Sequence, residues 1–353
     1  MEKIAEVTLA RKAVVLFNLG GPDQLASVEP FLFNLFNDPA IIRLPAPLRF
    51  FVAKVISKRR GPIARDIYKN MGGRSPLLDQ TNDQAVALEK SLSDLPDEYK
   101  IFVCMRYWHP RASEIVKTVK EFDPDEVILL PLYPQFSTTT TASSAEEWGK
   151  TAKKVGLEAN TTSFCCYPAE DGFASAYADL ISKKLEQING AIPKLLFSAH
   201  GLPKKIVDSG DPYPWQVERS VDAILKKLDR DDLEYQICYQ SRVGPVEWIG
   251  PDTEEEIKKA GAKGKSLLVI PVAFVSEHSE TLVELDLEYA EVAKENGVPA
   301  YYRVPTVTTH PKFIEGLGNL VKNRHDGGMK SACGNKICPV SAKGCAQYLQ
   351  VEG

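Results

Sequence analysis

The sequence predicts an α/β protein of two similar, doubly wound lobes with parallel four-stranded sheets facing a shared cleft. Short apolar runs alternate with longer segments of helical periodicity, which is the pattern of parallel strands joined by helices. The chain has 353 residues, more than one hydrophobic core usually contains, so two lobes are expected. The third strand of each half also has a similar form, with Pro131 and Pro271 in like positions.

The first half contains four predicted strands, at residues 13–19, 99–107, 127–132 and in the run that ends at 165–166. The first strand is closed by a tight turn at Gly20-Gly21-Pro22, and the second ends at Arg106. An arginine at a strand end is well placed to hold a carboxylate. The third strand leads into a hydroxyl-rich turn, which offers helix caps and hydrogen-bond donors for an anion.

The second half contains four more predicted strands, at residues 194–200, 235–240, 267–272 and 300–304. The first ends in His200 and precedes a long loop rich in proline and glycine, and such loops are usually functional. The third continues through a break at residues 276–278 into a segment of helical periodicity. We therefore place two Rossmann-like lobes at 1–188 and 189–325, followed by a cysteine-bearing tail at 326–353.

Histidine and glutamate side chains mark the strand ends of the second half. His200 and His278 both end strands, which is where open α/β sheets bind their ligands. Three glutamates follow at four-residue spacing, along one face of the predicted helix: Glu280, Glu284 and Glu288. An exposed acidic face is the alternative, but such faces usually include lysines, and residues 276–292 contain none. The pattern favours proton transfer or cation binding.

The composition restricts the partners of the protein. A net charge of −4 gives no reason to expect nucleic acid. No apolar run reaches the ~20 residues that span a bilayer, and the N-terminus lacks a signal-peptide layout, so a cytoplasmic protein is expected. Residues 46–60 form a basic, amphipathic segment. This segment predicts a helix on an anionic membrane surface, with an ordinary surface helix as the alternative.

Five motifs together resemble the ferrochelatase family: LFNLGGPD at 16–23, MRYWHP at 105–110, PLYPQFS at 131–137, LFSAHGLPKKIVDSGDPYPWQ at 196–216 and SEHSETLVELDLEY at 276–289. The resemblance extends from about Val14 to Phe313. It implies a porphyrin cleft between two similar lobes. It also implies that ferrous iron, Fe²⁺, is inserted into protoporphyrin IX to form haem, the last step of haem synthesis.

The resemblance assigns expected roles to residues of the cleft. It implies that His200 is either the base for the pyrrole protons or a ligand of the substrate iron, and that Glu280 is its opposing carboxylate. His278 is expected to orient Glu280, and Glu284 to continue the acidic path. Further positions match residues that line or hold the macrocycle: Leu19, Arg106, Tyr107, Ser137, Tyr167 and Trp248. Animal enzymes usually have methionine at the position of Leu19 and tryptophan at that of Tyr167.

The tail predicts a [2Fe–2S] cluster. It has no apolar period and cannot fold by burial alone, whereas thiolate–metal bonds order such segments. Cys333, Cys338 and Cys345 provide three ligands, so a fourth must come from the body of the protein. If Tyr167 faces the porphyrin, strand alternation turns Cys166 away from it, which favours Cys166 over Cys165. Several bacterial ferrochelatases resemble this layout, although Thr138 stands where animal enzymes have a cluster cysteine. Zinc on the same thiolates is the alternative.

Other functions compete with iron insertion. A metallohydrolase would use His200, His278 and Glu280 as zinc ligands, but the sequence has no local HExxH-like pair. A non-catalytic tetrapyrrole carrier would need an aromatic slot and an axial ligand, but no column of carboxylates. A relative of the family that acts on coproporphyrin or another metal is a third alternative, and the cysteine-bearing tail favours protoporphyrin over it. The oligomeric state is left open, with a homodimer among the alternatives.

Overall fold

Two parallel β-sheets organise the chain in the computed structural model, which describes residues 9–242, 244–325 and 328–349. The strands are β1 (Arg11–Asn18), β2 (Glu98–Met105), β3 (Glu126–Pro131), β4 (Asn160–Cys166), β5 (Lys194–His200), β6 (Tyr235–Gln240), β7 (Leu267–Pro271), β8 (Tyr301–Arg303) and β9 (Gly328–Ser331). The first sheet has the order β2-β1-β3-β4-β9, and the second has the order β6-β5-β7-β8. This confirms the predicted α/β fold with two lobes built on parallel sheets.

Helices connect the strands and cover the sheets. The α-helices are α1 (Val28–Phe36), α2 (Ala46–Lys69), α3 (Leu77–Leu92), α4 (Ala112–Phe122), α5 (Thr141–Val155), α6 (Asp171–Glu186), α7 (Lys204–Asp208), α8 (Tyr213–Leu228), α9 (Thr253–Ala262), α10 (Tyr289–Glu295), α11 (Pro311–Lys322) and α12 (Ala346–Leu349). A short 3₁₀ helix at Leu25–Ser27 precedes α1. The proposed lobe boundary at residues 188–189 falls in the loop after α6.

The central strands are buried on both faces, which explains their nearly continuous apolar sequences. In β1, the residues from Ala13 to Leu16 are completely buried. One hydrophobic core reaches across both lobes, because helices of the first lobe pack against α8 and α11. It includes Phe173 and Tyr177 of α6 together with Val217 of α8 and Phe313 of α11. The lobes therefore share apolar packing instead of meeting only at a polar cleft.

The parallel register aligns the carboxyl ends of the strands in the second sheet. His200 at the end of β5 lies opposite Gln240 at the end of β6. On the other side of β5, Ser198 lies opposite Pro271, the last residue of β7. The loops that follow these strands therefore begin at one edge of the sheet, as predicted for a ligand site.

The segment after His278 is helical as predicted, but its turn is wider than that of an α-helix. Residues Glu280–Glu288 form a π-helix. The N–H of Tyr289 donates to the carbonyl of Glu284, five residues earlier, and α10 continues from there. Such π turns are rare and occur frequently at functional sites. Apolar periodicity alone does not distinguish a π-helix from an α-helix, because both bury one face.

The basic segment predicted at residues 46–60 is the first part of the longer helix α2. Its buried face carries the small residues Ala53, Ser57 and Gly61, which let α2 approach α1 closely. Large apolar side chains stay at the surface: Leu48, Phe50, Phe51 and Ile63. Among the described residues, no helix is long and apolar enough to cross a membrane.

Part of the tail is ordered by backbone pairing, which the sequence did not reveal. Strand β9 pairs in parallel with β4, with Thr162 opposite Gly328 and Cys166 opposite Ser331. The first sheet therefore has one strand more than predicted. Cys338 and Cys345 are buried, whereas Cys333 is exposed. Residues 326–327 and 350–353 of the predicted tail lie outside the described residues.

Candidate active site

His200 and Glu280 form a direct pair between two elements of the second lobe. Strand β5 ends at His200, and Glu280 begins the π-helix that follows β7. The Nδ1 atom of His200 lies 2.8 Å from the Oε2 atom of Glu280. The sequence placed these residues at two strand ends, and the tertiary structure brings their side chains into hydrogen-bonding distance. The Nε2 atom of His200 is thus the nitrogen left for a substrate.

The pair is electrostatically polarised. Burial opposes the protonation of His200, but the charge of Glu280 and its hydrogen bond outweigh burial and raise the pKa of His200. Burial likewise opposes the ionisation of Glu280, yet the neighbouring His200 and His278 lower the pKa of Glu280 overall. The arrangement stabilises an imidazolium beside a carboxylate, so it suits a histidine that accepts a proton from a ligand.

His278 lies behind this pair. Its Nε2 atom is 3.9 Å from the Oε2 atom of Glu280, which is too long for a hydrogen bond in this arrangement. The imidazole packs against the ring of Phe274, with centroids 4.5 Å apart. Burial lowers the pKa of His278, with the charges of Glu280 and Glu277 opposing that effect. A neutral imidazole next to Glu280 fits the predicted orienting role, which stays a prediction.

The column of glutamates leads from the interior to the surface. Glu284 accepts hydrogen bonds from the backbone N–H and hydroxyl of Ser241, at 2.8 and 2.5 Å, from Gln240 at 3.1 Å and from Tyr289 at 3.0 Å. Burial and the charge of Glu280 raise the pKa of Glu284. Glu288, the third carboxylate of the column, is exposed. Glu284 therefore lies between a carboxylate of low pKa and the solvent.

Two residues that hold this column were not predicted. Gln240 is completely buried and donates from its amide to the backbone carbonyl of Glu280 as well as to Glu284. Ser241 has a φ of 64°, a left-handed conformation that a non-glycine residue rarely adopts. Gln240 ends β6 and Ser241 follows it, so the rule that identified His200 and His278 would also have found them.

Aromatic side chains contact the neighbours of His200 and Glu280 in the sequence. A side-chain Cβ at Gly201 would lie 3.3 Å from the ring of Trp248 and 2.8 Å from the carbonyl of Gln240, so only glycine fits beside the indole. Tyr68 of α2 bonds to Ser279, next to Glu280; burial is the main cause that raises the pKa of Tyr68 to about 12. Leu19 packs into the same apolar cluster as Tyr68 and Tyr107. Leu19 thus lies against an apolar cluster and Trp248 beside Gly201, and their contact with a macrocycle stays a prediction.

Arg106 holds carboxylates of the protein itself. Its guanidinium lies 2.8 Å from Asp38 and 3.0 Å from Glu147. The hydroxyl of Tyr107 also donates to Asp38, at 2.7 Å. Asp38 follows α1 and is almost completely buried, so this network anchors the α1–α2 segment to the end of β2. The strand-end position of Arg106 predicted a bound carboxylate but gave no sign that Asp38 supplies it.

Ser137 and Tyr167 are both only 1% exposed. The hydroxyl of Ser137 donates to the buried carboxylate of Asp211 at 3.0 Å, and Thr138 bonds to the same carboxylate. Tyr167 packs edge-on against Phe173 in the shared core. Their predicted contact with a macrocycle stays a prediction, since neither side chain has an open face in this structure.

The cysteines of the tail lie close to those at the end of β4. The sulfur atoms of Cys165 and Cys166 are 3.3 Å apart. A hydrogen bond with Cys165, burial and the proximity of Cys338 and Cys345 together raise the pKa of the Cys166 thiol. Cys333 is exposed, with its sulfur 3.3 Å from the hydroxyl of Ser331. Thiol chemistry suits an iron–sulfur cluster or zinc.

Across the described ranges, no three side chains of His, Cys, Asp or Glu are arranged to hold a metal ion. The zinc site that a metallohydrolase would need at His200, His278 and Glu280 is therefore absent from this part of the chain. The cysteines also do not form a complete set of metal ligands in these ranges. Four of them are neighbours: Cys165, Cys166, Cys338 and Cys345. A cavity of about 410 Å³ lies elsewhere, between α6, α8 and the tail, and none of the predicted site residues lines it.

Comparison with known proteins agrees with this geometry. Residues 11–325 match the family model described as ferrochelatase. A ferrochelatase from Pelagibacter ubique is 50% identical over 318 residues, covering 90% of this chain and 92% of the relative. One from Caulobacter vibrioides is 51% identical over 328 residues, covering 91% and 93%.

The solved structure of SirB from Bacillus subtilis with Fe³⁺ shares the fold. It superposes with a TM-score of 0.50 at 12% identity, covering 89% of this chain and 95% of SirB. At that identity the likeness concerns the fold alone. The family follows from the sequence comparisons, which extend over both lobes at about half identity, and the chain belongs to the ferrochelatase family.

Proposed function

We propose that this protein inserts ferrous iron into protoporphyrin IX and releases haem. The observation that carries the proposal is the pair formed by His200 and Glu280, from which the half-buried Glu284 and the exposed Glu288 lead to the surface. Relatives named ferrochelatase at about half identity support the same reaction. A tetrapyrrole carrier would not need a polarised histidine or a path for protons.

The reaction exchanges two pyrrole N–H protons for one Fe²⁺ ion, so the site must remove two protons per turnover. Neutral His200 accepts a proton at Nε2, because Nδ1 faces Glu280. The imidazolium is stabilised by the Glu280 carboxylate, to which the Nδ1 proton is donated. Glu284, whose pKa is raised, then takes the proton towards Glu288 and solvent. Loss of the Nδ1 proton leaves the first pyrrole proton on Nε2, so a proton must return to Nδ1 and leave Nε2 before His200 can accept the second one.

The assay of the proposed reaction uses purified protein with protoporphyrin, coproporphyrin and several divalent metals. We expect the absorbance of free protoporphyrin to be replaced by that of haem when Fe²⁺ is present. Faster turnover of coproporphyrin would assign the chain to the alternative substrate. Binding of porphyrin without metal insertion would support a carrier and refute the proposal.

We also propose that the tail binds a [2Fe–2S] cluster through Cys166, Cys333, Cys338 and Cys345. Support comes from donor chemistry. The thiols of Cys166, Cys338 and Cys345 are buried and close enough to raise one another's pKa, and metal binding would replace their protons. Cys333 is exposed and contacts Ser331, which pairs with Cys166. The cluster would fix the tail against β4. Cys165 is the alternative fourth ligand because its sulfur is adjacent to that of Cys166.

We further propose that the cytoplasmic protein binds membrane surfaces through α2. This helix exposes large apolar side chains, with Phe51 65% and Ile63 64% exposed, alongside the exposed basic residues Lys54, Lys58 and Arg59. An interfacial helix combines such apolar groups with cations that attract anionic lipids. Protoporphyrin and haem are themselves apolar, so a membrane surface is a suitable place to exchange them.

A further inference from the structure

The loop between β7 and the π-helix is held largely by side chains of the other lobe. The hydroxyl of Tyr177 in α6 bonds to the carbonyls of Pro271 and Phe274, at 2.7 and 2.6 Å. The amide of Gln135 donates to the carbonyl of Val272 at 3.3 Å. This loop leads directly to His278 and Glu280. These bonds from the first lobe add to contacts within the second lobe, where the Glu277 carboxylate accepts from Arg303 and from the backbone N–H of Thr306.

Helix α3 contacts the three residues that precede His278. The amide of Gln84 donates to the carbonyls of Val275 and Thr308, at 2.9 and 3.0 Å, and its oxygen accepts from the hydroxyl of Ser276 at 3.2 Å. One helical turn earlier, the side-chain oxygen of Gln80 accepts from the backbone N–H of Glu277 at 2.8 Å. Gln84 is completely buried, so water does not replace these bonds easily.

The same helix is also bonded to the segment that carries Leu19. Between the two glutamines, the hydroxyl of Thr81 accepts from the side-chain amide of Asn18 at 3.0 Å. Asn18 directly precedes Leu19 and bonds to its backbone N–H at 2.8 Å. One face of α3 therefore connects the wall at Leu19 with the backbone that precedes His278, across the boundary between the lobes.

We propose that Gln84, assisted by Gln80, is a positioning residue for metal insertion. It fixes the backbone at residues 275–277 and thereby sets how closely Glu280 approaches His200. The inference rests on the proposed function. Without the Gln84 side chain, the Thr308 carbonyl loses this donor and the Ser276 hydroxyl loses its acceptor. The Val275 carbonyl keeps only the backbone N–H of Thr308, so the loop relaxes towards other partners. A displacement of about 1 Å at reacting groups lowers rates by as much as ~10²-fold.

The test compares Gln84→Met with Gln135→Met. Both changes replace a buried glutamine by an apolar side chain of similar length, and both remove a bond between the lobes on the same loop. We expect Gln84→Met to lower kcat by roughly tenfold to hundredfold, with KM for protoporphyrin changed by less than about threefold. Gln135→Met should lose about as much thermal stability as Gln84→Met, but its kcat should stay within about threefold of the parent.

A spectroscopic readout makes the test independent of turnover. In protein with ¹⁵N-labelled imidazoles, the signals of His200 and His278 should shift in Gln84→Met and stay in place in Gln135→Met. If Gln84→Met does not fold, Gln80→Met replaces it, because Gln80 is only half-buried and its loss removes one bond.

Unchanged kcat and unchanged imidazole signals in Gln84→Met would overturn the positioning role. An equal loss of kcat in Gln135→Met would overturn it as well. Inactive parent protein is a different result: it refutes the proposed function, while the imidazole signals still decide whether Gln84 positions the pair. Active parent protein with an unaffected Gln84→Met variant refutes only the positioning role.

Discussion

Replacing Glu280 by glutamine is expected to abolish most metal insertion while the fold is preserved. Glutamine has nearly the same size as glutamate and can still accept a hydrogen bond from the Nδ1 atom of His200. It cannot accept the proton that His200 passes on, and it carries no charge to stabilise the imidazolium. The substitution therefore separates the chemistry of this carboxylate from its packing.

The expected size of the effect follows from two losses. A hydrogen bond to a charged group contributes about 1.5–3 kcal/mol. Because the His200 side chain is 39% exposed, solvent screening places this bond near the lower end, about 1.5 kcal/mol. Loss of a proton acceptor adds the ~10²–10⁴-fold factor typical of general acid–base groups, which dominates.

The assay follows haem formation at saturating Fe²⁺ over a range of protoporphyrin concentrations. We expect kcat to fall by about 10²–10⁴-fold, with KM for protoporphyrin nearly unchanged. Glu291→Gln is the matched control, because Glu291 is exposed in α10 and its carboxylate pairs with Lys294 at 3.2 Å. Its activity should equal that of the parent. Near-normal turnover of Glu280→Gln would refute the proton path proposed here.

Three further predictions concern the base, the membrane and the tail. Since Glu280 raises the pKa of His200, kcat should fall as the pH drops through a midpoint above the usual histidine value of about 6.5. A midpoint well below that value would exclude His200 as the base. The double variant Phe50→Glu, Phe51→Glu should no longer bind anionic liposomes, whereas the control Val86→Glu, at another exposed position, should still bind them. Equal binding by the two variants would refute the proposal that α2 binds membranes. Anaerobically purified protein should be reddish-brown with about two irons and two sulfides, and Cys338→Ser should lose the colour that Cys238→Ser retains. A colourless parent protein that contains zinc would show that the thiolates bind zinc instead of the cluster.

Local patterns in the sequence determined the strands and the residues at their ends. Apolar runs predicted β5 and β7 because a strand buried on both faces needs a nearly continuous apolar sequence. His200 and the residues after β7 then lie at one sheet edge, since parallel strands align their carboxyl ends. The pair of His200 and Glu280 was thus within reach of sequence reasoning, helped by the resemblance to a family.

Only the tertiary structure decided which groups these residues bind. Asp38 pairs with Arg106 across 68 positions, and Gln84 holds Val275 across 191. No local periodicity encodes such partners, because they are selected by how separate elements pack. Strand β9 likewise forms only because β4 offers an unpaired edge, and its own sequence has no strand pattern. The wider turn at Glu280–Glu288 was also undetermined, since apolar spacing permits both an α-helix and a π-helix there.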